Sequence, residues 1–330
     1  MNILVPKSPP PRNAKSTLSV EDVEAALSQW FDAHVVLTSS GRAATLLLLQ
    51  ELGFKRYTHR VAIPRLIARC VIDSVSNAAF PVDAAKAHTA DATILFHQYG
   101  FTQTLRPKGI VIEDCAHAFF GTPLSGARAW AGKYAIFSMP KFFSTASPVG
   151  GIIVQDVRVA KNLRARRDAV PPKPSAILKK EGKLFRETLT SDRTELELLY
   201  FSRLFNPNIS PEELGGLPKS VAEIKEIGRR RLHVLDSLLE AAESSAVPAG
   251  WEKMLREKLP YALPIQKAHK ELVKIDTAMK AAGVATDLYQ IDINRNMFKP
   301  KYEQMLLIPY SHLVPDNVLK DMVSILRSRR

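Results

Sequence analysis

Apolar and polar positions follow two rhythms along this chain, one helical and one alternating or continuous over a few residues. Ser19 precedes VEDVEAALSQWF, where Val20, Val23, Ala26, Leu27 and Trp30 recur at helical spacing. Asp22, three residues after Ser19, completes a capping-box signature, so the pattern predicts a helix starting at Val20. HVVLTSS is a short apolar run ending in a turn, and GRAATLLLLQELG reads as a helix stopped by Gly53. RVAIP (60–64) predicts a strand, IARCVIDSVSNA a helix, and AFPVD a short strand ending at Asp83. TILFHQYG (93–100) predicts another strand, with His97, Gln98 and Tyr99 at its tip. GIVIEDCAHAFFG, KYAIFSMPK and GGIIVQD predict three more. Strands that alternate with helices make an α/β fold, a three-layer, mostly parallel wound sheet. Such sheets place ligands beyond the carboxyl ends of their strands.

The texture changes after Asp156. VRVAKNLRARRDAV predicts a basic helix, PPKP breaks it, and residues 176–205 are of mixed helical character. VAEIKEIGRRRLHVLDSLLEAAESS predicts one long helix that joins two domains. LPYALPI (259–265), ELVKIDTAMKAAGVAT, QMLLIPYSHLVP and DNVLKDMVSILRSRR then predict strand, helix, strand and helix, a small C-terminal α+β domain. The expected organisation is an N-terminal arm at 1–15, a large domain at 16–246 and a small domain at 247–330.

Composition narrows the function classes. The 330 residues are 46% hydrophobic and 24% charged, as in a globular chain with room for a large core. The first residues lack the apolar stretch of a secretory signal, and no run reaches the roughly 18 apolar residues of a membrane span. Two cysteines, Cys70 and Cys115, build neither a disulfide framework nor a metal-type spacing. The expected setting is cytoplasmic, with no metal and no membrane. The net charge of +13 raises nucleic acid as a partner. The densest basic runs, RARR (164–167) and GRRR (228–231), carry no interleaved aromatics, so they read as solvated helix faces. An anionic small molecule is the next reading of the charge.

The chemistry concentrates between Gly109 and Gly151. One apolar run ends in Glu113 and Asp114, and the next delivers Ser138 and Lys141, 27 residues past Asp114. Acid and lysine at consecutive strand ends are either incidental or the two parts that pyridoxal phosphate (PLP) needs. In the second case Lys141 forms a Schiff base and Asp114 keeps a pyridine nitrogen protonated. His117 is then either a packing histidine or a side chain that reaches the ring oxygen or substrate. Ser39, Ser40, Gly41 and Arg42 sit at a helix start, where free N–H groups and hydroxyls form either a plain cap or a phosphate cradle. Cys115 reads as a small buried side chain.

These pieces occur in a recognisable order: TSSGRAATLLLLQELG, RVAIP, VIEDCAHAFFG, FSMPKFFSTASPVGGIIV and YALPI…AGVATDLY…LLIPYSHLVPDNVLKDMVSIL. The chain resembles the fold-type I PLP enzymes of the aspartate aminotransferase fold, and more narrowly the sugar aminotransferases that act on nucleotide sugars and keto-cyclitols. The resemblance implies pyridoxal 5'-phosphate as cofactor, Lys141 as Schiff-base lysine and Asp114 as partner of the pyridine nitrogen. It places Ser138, Ser40, Gly41 and Arg42 at the phosphate. His117 stands where the family usually has glutamine, near the ring hydroxyl. It further implies an amino acid donor, a keto or aldehyde acceptor and a homodimer with active sites at the interface. His97, Asn294, Arg295 and Asn296 are the candidates for contacts near substrate. Two departures stand out. The lysine follows Ser138 by only three residues, a closer spacing than the common pattern, and RLIARC lacks the usual ring-stacking aromatic, leaving His97 or Phe119 to cover a face. Other PLP chemistry, such as dehydration or decarboxylation, and a degenerate non-catalytic domain are the competing readings.

Overall fold

The computed structural model describes residues 18–120, 130–143, 145, 148–172 and 205–328. The expected arm at 1–15 and most of the mixed helical region at 176–205 lie outside the described residues. Among the described residues there are ten strands and eight helices, numbered in chain order. The strands are β1 (His34–Thr38), β2 (Arg60–Ile63), β3 (Phe80–Asp83), β4 (Ala92–Phe96), β5 (Ile110–Asp114), β6 (Tyr134–Ser138), β7 (Gly150–Val154), β8 (Ala262–Ile265), β9 (Asp287–Asp292) and β10 (Tyr302–Pro309). The helices are α1 (Val20–Phe31), α2 (Gly41–Glu51), α3 (Arg69–Ser76), α4 (Val157–Asp168), α5 (Val221–Ala241), α6 (Trp251–Lys258), α7 (His269–Ala281) and α8 (Asp316–Arg327).

Seven strands form one sheet in the order β1-β7-β6-β5-β4-β2-β3, in which β7 alone runs against its neighbours. The two-residue period of a strand sorts its side chains between two cores. Val35, Leu37, Ala135, Phe137 and Ile153 join the cluster that includes α1 and α5, whereas Val36, Ile136, Ile152 and Val154 join the cluster under α2, α3 and α4. Helices therefore cover both faces, and the three-layer α/β architecture expected from the sequence is present. A second, antiparallel sheet, β8-β10-β9, carries the C-terminal region. The capping box of α1 is complete: Asp22 N donates to Ser19 Oγ (3.0 Å) and Ser19 N to Asp22 Oδ2 (3.1 Å).

Several expectations need correction. The strand expected over 93–100 ends at Phe96; His97 leads into a tight turn at Gln98–Gly100, in which Tyr99 has φ +51°. The strand expected over 259–265 starts only at Ala262, because Leu259 takes a left-handed conformation that closes α6. α6 and β9 are elements that the apolar pattern does not single out. The basic runs are not solvated faces throughout. Arg167 is buried and pairs with buried Glu24, which also accepts from Leu37 N (2.9 Å) and Arg164 Nε (2.7 Å); Arg166 pairs with Glu51. Arg231 is buried against the faces of Phe120, Phe142 and Tyr310. Arg167 and Arg231 thus help hold α4 and α5 to the core, while Arg166 and Arg229 remain largely exposed. No helix among the described residues is long and apolar enough to cross a membrane.

Candidate active site

The site lies beyond the carboxyl ends of β1, β5 and β6. Thr38 at the end of β1 and Ser138 at the end of β6 both stand opposite Gly150 of β7. A Cβ at Gly150 would lie 2.4 Å from Gly41 N, 2.7 Å from Ser40 C and 2.8 Å from Phe137 O. Only glycine lets the Ser40–Gly41 turn close over this strand toward Ser138. The turn is firmly held. Ser40 Oγ caps α2 by accepting from Ala43 N (3.2 Å), and Thr38 Oγ1 donates to Ser40 O (2.9 Å). Ser39 N donates to Pro207 O (2.9 Å) and Ser39 Oγ to Asn206 O (2.6 Å). The start of α2 offers N–H groups and the positive end of its dipole, which suits a phosphate.

β5 ends in two carboxylates of opposite character. Glu113 is 0% exposed and accepts from His97 Nε2 (3.0 Å), both terminal nitrogens of Arg106 (2.9 and 3.1 Å), Ala131 N (2.8 Å) and Gly132 N. Burial alone would raise its pKa, but the hydrogen bonds from His97 and Arg106 prevail and hold it at about 2. Asp114, 5% exposed, accepts from Ala116 N (3.0 Å), and burial raises its pKa against the opposing pull of that bond, Lys141 and His97. Among the described residues it is a buried acid with unused acceptor capacity beside an amine.

Lys141 ends the short turn Met139–Lys141 that follows β6. Burial lowers its pKa; Asp114 and Cys70 act to raise it, and Arg42 lowers it further. Lys141, Asp114, Cys70 and Arg42 are therefore electrostatic neighbours. His117 completes the group. Its Nδ1 accepts from Tyr99 N (3.2 Å), which places the proton of the neutral ring on Nε2. Its faces are covered by Tyr99 (5.3 Å, 3°) and Tyr261 (5.4 Å, 16°). Burial first, and Lys141 second, hold it well below the usual histidine range, so the imidazole is neutral at physiological pH. Nε2 makes no hydrogen bond among the described residues and is the one donor this ring has to offer.

The remaining candidates are placed differently. His97 uses Nε2 on Glu113 and accepts from Gln103 N at Nδ1 (3.2 Å). Phe119 packs against Phe31, Phe120, Phe137, Phe142 and Phe143 and is buried among them, so it covers no ligand face. Asn294, Arg295 and Asn296 lie in the turn between β9 and β10. Asn294 N and Asn296 N donate to Asp292, and Asn294 Nδ2 donates to Lys299 O (3.0 Å). The Arg295 guanidinium lies 5.4 Å over the Trp251 ring, and its backbone oxygen accepts from Thr104 N (2.8 Å). Cys70, Tyr99 and Tyr261 were not among the expected site residues. Tyr99 stands at a strand tip where it could have been found, whereas nothing local marks Tyr261. Among the described residues no group of three or more His, Cys, Asp or Glu could hold a metal ion.

A family described as "Putative PLP-dependent aminotransferase" matches residues 27–242, most of the chain. Among solved structures, DesV of S. venezuelae in complex with a ketimine intermediate is 16% identical, with a TM-score of 0.67 over 96% of this chain and 89% of that one. A DegT DnrJ EryC1 StrS aminotransferase from Brucella abortus is 14% identical, with a TM-score of 0.66 over 97% and 91%. NtdA from Bacillus subtilis with bound cofactor PMP is 15% identical, with a TM-score of 0.61 over 94% and 76%. At these identities the structures establish the fold. No curated protein matches the chain.

Proposed function

We propose, since the chain belongs to the PLP-dependent aminotransferase family, that it moves an amino group from an amino acid donor to a keto or aldehyde carbon of a sugar-like or other small metabolite. The observation that carries this reading is Asp114, a buried carboxylate with spare acceptor capacity beside the half-buried amine of Lys141. An acid left under-satisfied in this way disfavours the fold unless a cationic N–H meets it. A protonated pyridine nitrogen is such a partner.

In this reading Lys141 Nζ would hold the cofactor covalently and serve as the base that moves a proton. Asp114 would keep the pyridine nitrogen charged, and His117 Nε2–H would face the ring oxygen. Ser40, Gly41 N–H, Arg42 and Ser138 would take the phosphate. Bound pyridoxal phosphate supplies an electron sink next to the substrate nitrogen. The proposed working form is a homodimer of the 36.7 kDa chain, which sedimentation measures directly.

Adding pyridoxal phosphate to the purified protein is expected to produce a visible absorbance band that Lys141→Ala lacks. A screen of amino acid donors should then convert that band to the amine form of the cofactor. A wild-type protein without the band sinks the cofactor reading. A band that no donor converts sinks transamination and leaves other PLP chemistry.

A further inference from the structure

The tight turn after β4 joins the small sheet to His117. Among the described residues β9 is the edge strand of its sheet, with no neighbouring strand on one side of its backbone. The Gln98 side chain takes that place: its Nε2 donates to Gln290 O (2.9 Å) and its Oε1 accepts from Asp292 N (3.0 Å). One amide thus reads two successive outward groups of the strand, as a paired backbone would.

The next residue is tied to His117. Tyr99 holds the left-handed conformation at φ +51°, which disfavours a bulky side chain, and donates its N–H to His117 Nδ1 (3.2 Å). Its ring lies flat on the imidazole on one side and meets Tyr289 of β9 at 5.0 Å on the other. Gly100 follows at φ +92°, where a Cβ would fall 2.2 Å from His117 O and 2.6 Å from Pro260. Tyr261 N donates to Tyr99 O (3.0 Å), and the Tyr261 ring closes the second face of His117. Little slack remains between β9 and the imidazole. A displacement of the strand must be absorbed at Tyr99, and Tyr99 sets both the tautomer and the plane of His117.

We infer that Gln98 is a positioning residue: through Tyr99 it transmits the position of the small sheet to the Nε2–H donor of His117. The inference rests on the cofactor reading only where Nε2–H is taken to face the cofactor ring. The link itself is a property of the chain alone.

The experiment uses the full-length protein in two states. In the cofactor-loaded protein, the pH midpoint of the visible band is compared among wild type, Gln98→Ala, His117→Ala and the double variant. The expected result is a midpoint moved by Gln98→Ala in the wild-type background and unmoved by it in the His117→Ala background. A midpoint unchanged by Gln98→Ala, or the same shift without His117, overturns the inference. Gln98→Met, which keeps length and loses the amide, replaces the alanine variant if that fails to fold. In the cofactor-free protein, imidazole nitrogen NMR should show His117 as a single Nε2–H tautomer in wild type and as a tautomer mixture in Gln98→Ala. An identical single tautomer in both also overturns the link. If wild type gives no visible band, the cofactor reading falls while the NMR comparison still decides the inference.

Discussion

Glu113 and Asp114 are adjacent on one strand, both buried, and the chain treats them in opposite ways. Glu113 is surrounded by donors from a histidine, an arginine and two backbone N–H groups. Asp114 accepts from Ala116 N and faces the charge of Lys141. A saturated acid binds its surroundings together and has nothing left for a ligand. An under-satisfied acid does little for the fold and keeps its capacity for whatever enters. The two-residue period of β5 permits this division, because neighbouring side chains leave the strand on opposite faces. Glu113 therefore reads as the anchor of the strand end, and Asp114 as its working group.

The largest effect that tests the contrast is on stability. Glu113→Ala strips the acceptor from His97, Arg106, Ala131 and Gly132 at once. Removing one partner from such a buried charged network costs about 3–5 kcal/mol. Denaturant unfolding of the cofactor-free protein measures it; a loss below 1 kcal/mol would show that water serves these donors equally well. Asp114→Asn should do the reverse. It removes a buried acid whose pKa is raised, so the unfolding midpoint of the cofactor-free protein should hold or rise. Transamination should fall by roughly 100-fold or more, the scale of losing one electrostatic partner of the reacting group. A variant both less stable and fully active would undo the assignment.

The pH dependence sharpens the same contrast. The folded-state pKa of Glu113 is about 2, below the ordinary 4.5. A depressed carboxyl stabilises the fold fully above its unfolded value and loses that contribution as pH falls through the folded one. The window is therefore about pH 4.5 down to 2, and a shift of this size corresponds to about 3 kcal/mol. Unfolding curves of wild type and Glu113→Gln should converge across this window. Asp114, shifted the other way, contributes no stability of that sign.

How much of this could be read from the sequence depended on how local the cause was. The capping box of α1 and most apolar runs of the large sheet are local patterns and lie where expected; Asp114 ends β5, whereas Lys141 lies in the turn just past the end of β6. The apolar start of TILFHQYG hides the turn at Gln98–Gly100; Gly100 and the left-handed Tyr99 are explained by His117 and Pro260, far away in sequence. α6, WEKMLREK, is too short and too charged to announce a buried face, and it is held through Trp251, Met254 and Leu255. The RARR run looked solvated because its partners, Glu24 and Glu51, lie in other helices. Tyr261 reaches the site only because β8 is brought to it from the C-terminal sheet. The existence and order of the large-sheet strands are thus legible in sequence, whereas some of their ends and the groups that orient the site side chains are not.

The smallest expected effect separates the donors of Glu113 from one another. The Arg106 side chain is 45% exposed, while its partner is 0% exposed. Water can replace much of what the guanidinium supplies, so Arg106→Met should cost about 1 kcal/mol, near the upper range for exposed ion pairs. His97 Nε2, Ala131 N and Gly132 N remain in place to hold the carboxylate. The low-pH window should persist in this variant but narrow from its acid side, because one of the bonds that depress the Glu113 pKa has gone. A full collapse of the window in Arg106→Met would mean that the arginine alone governs the acid. The division between anchor and working carboxylate would then rest on one half-exposed side chain and not on the saturation of a buried site.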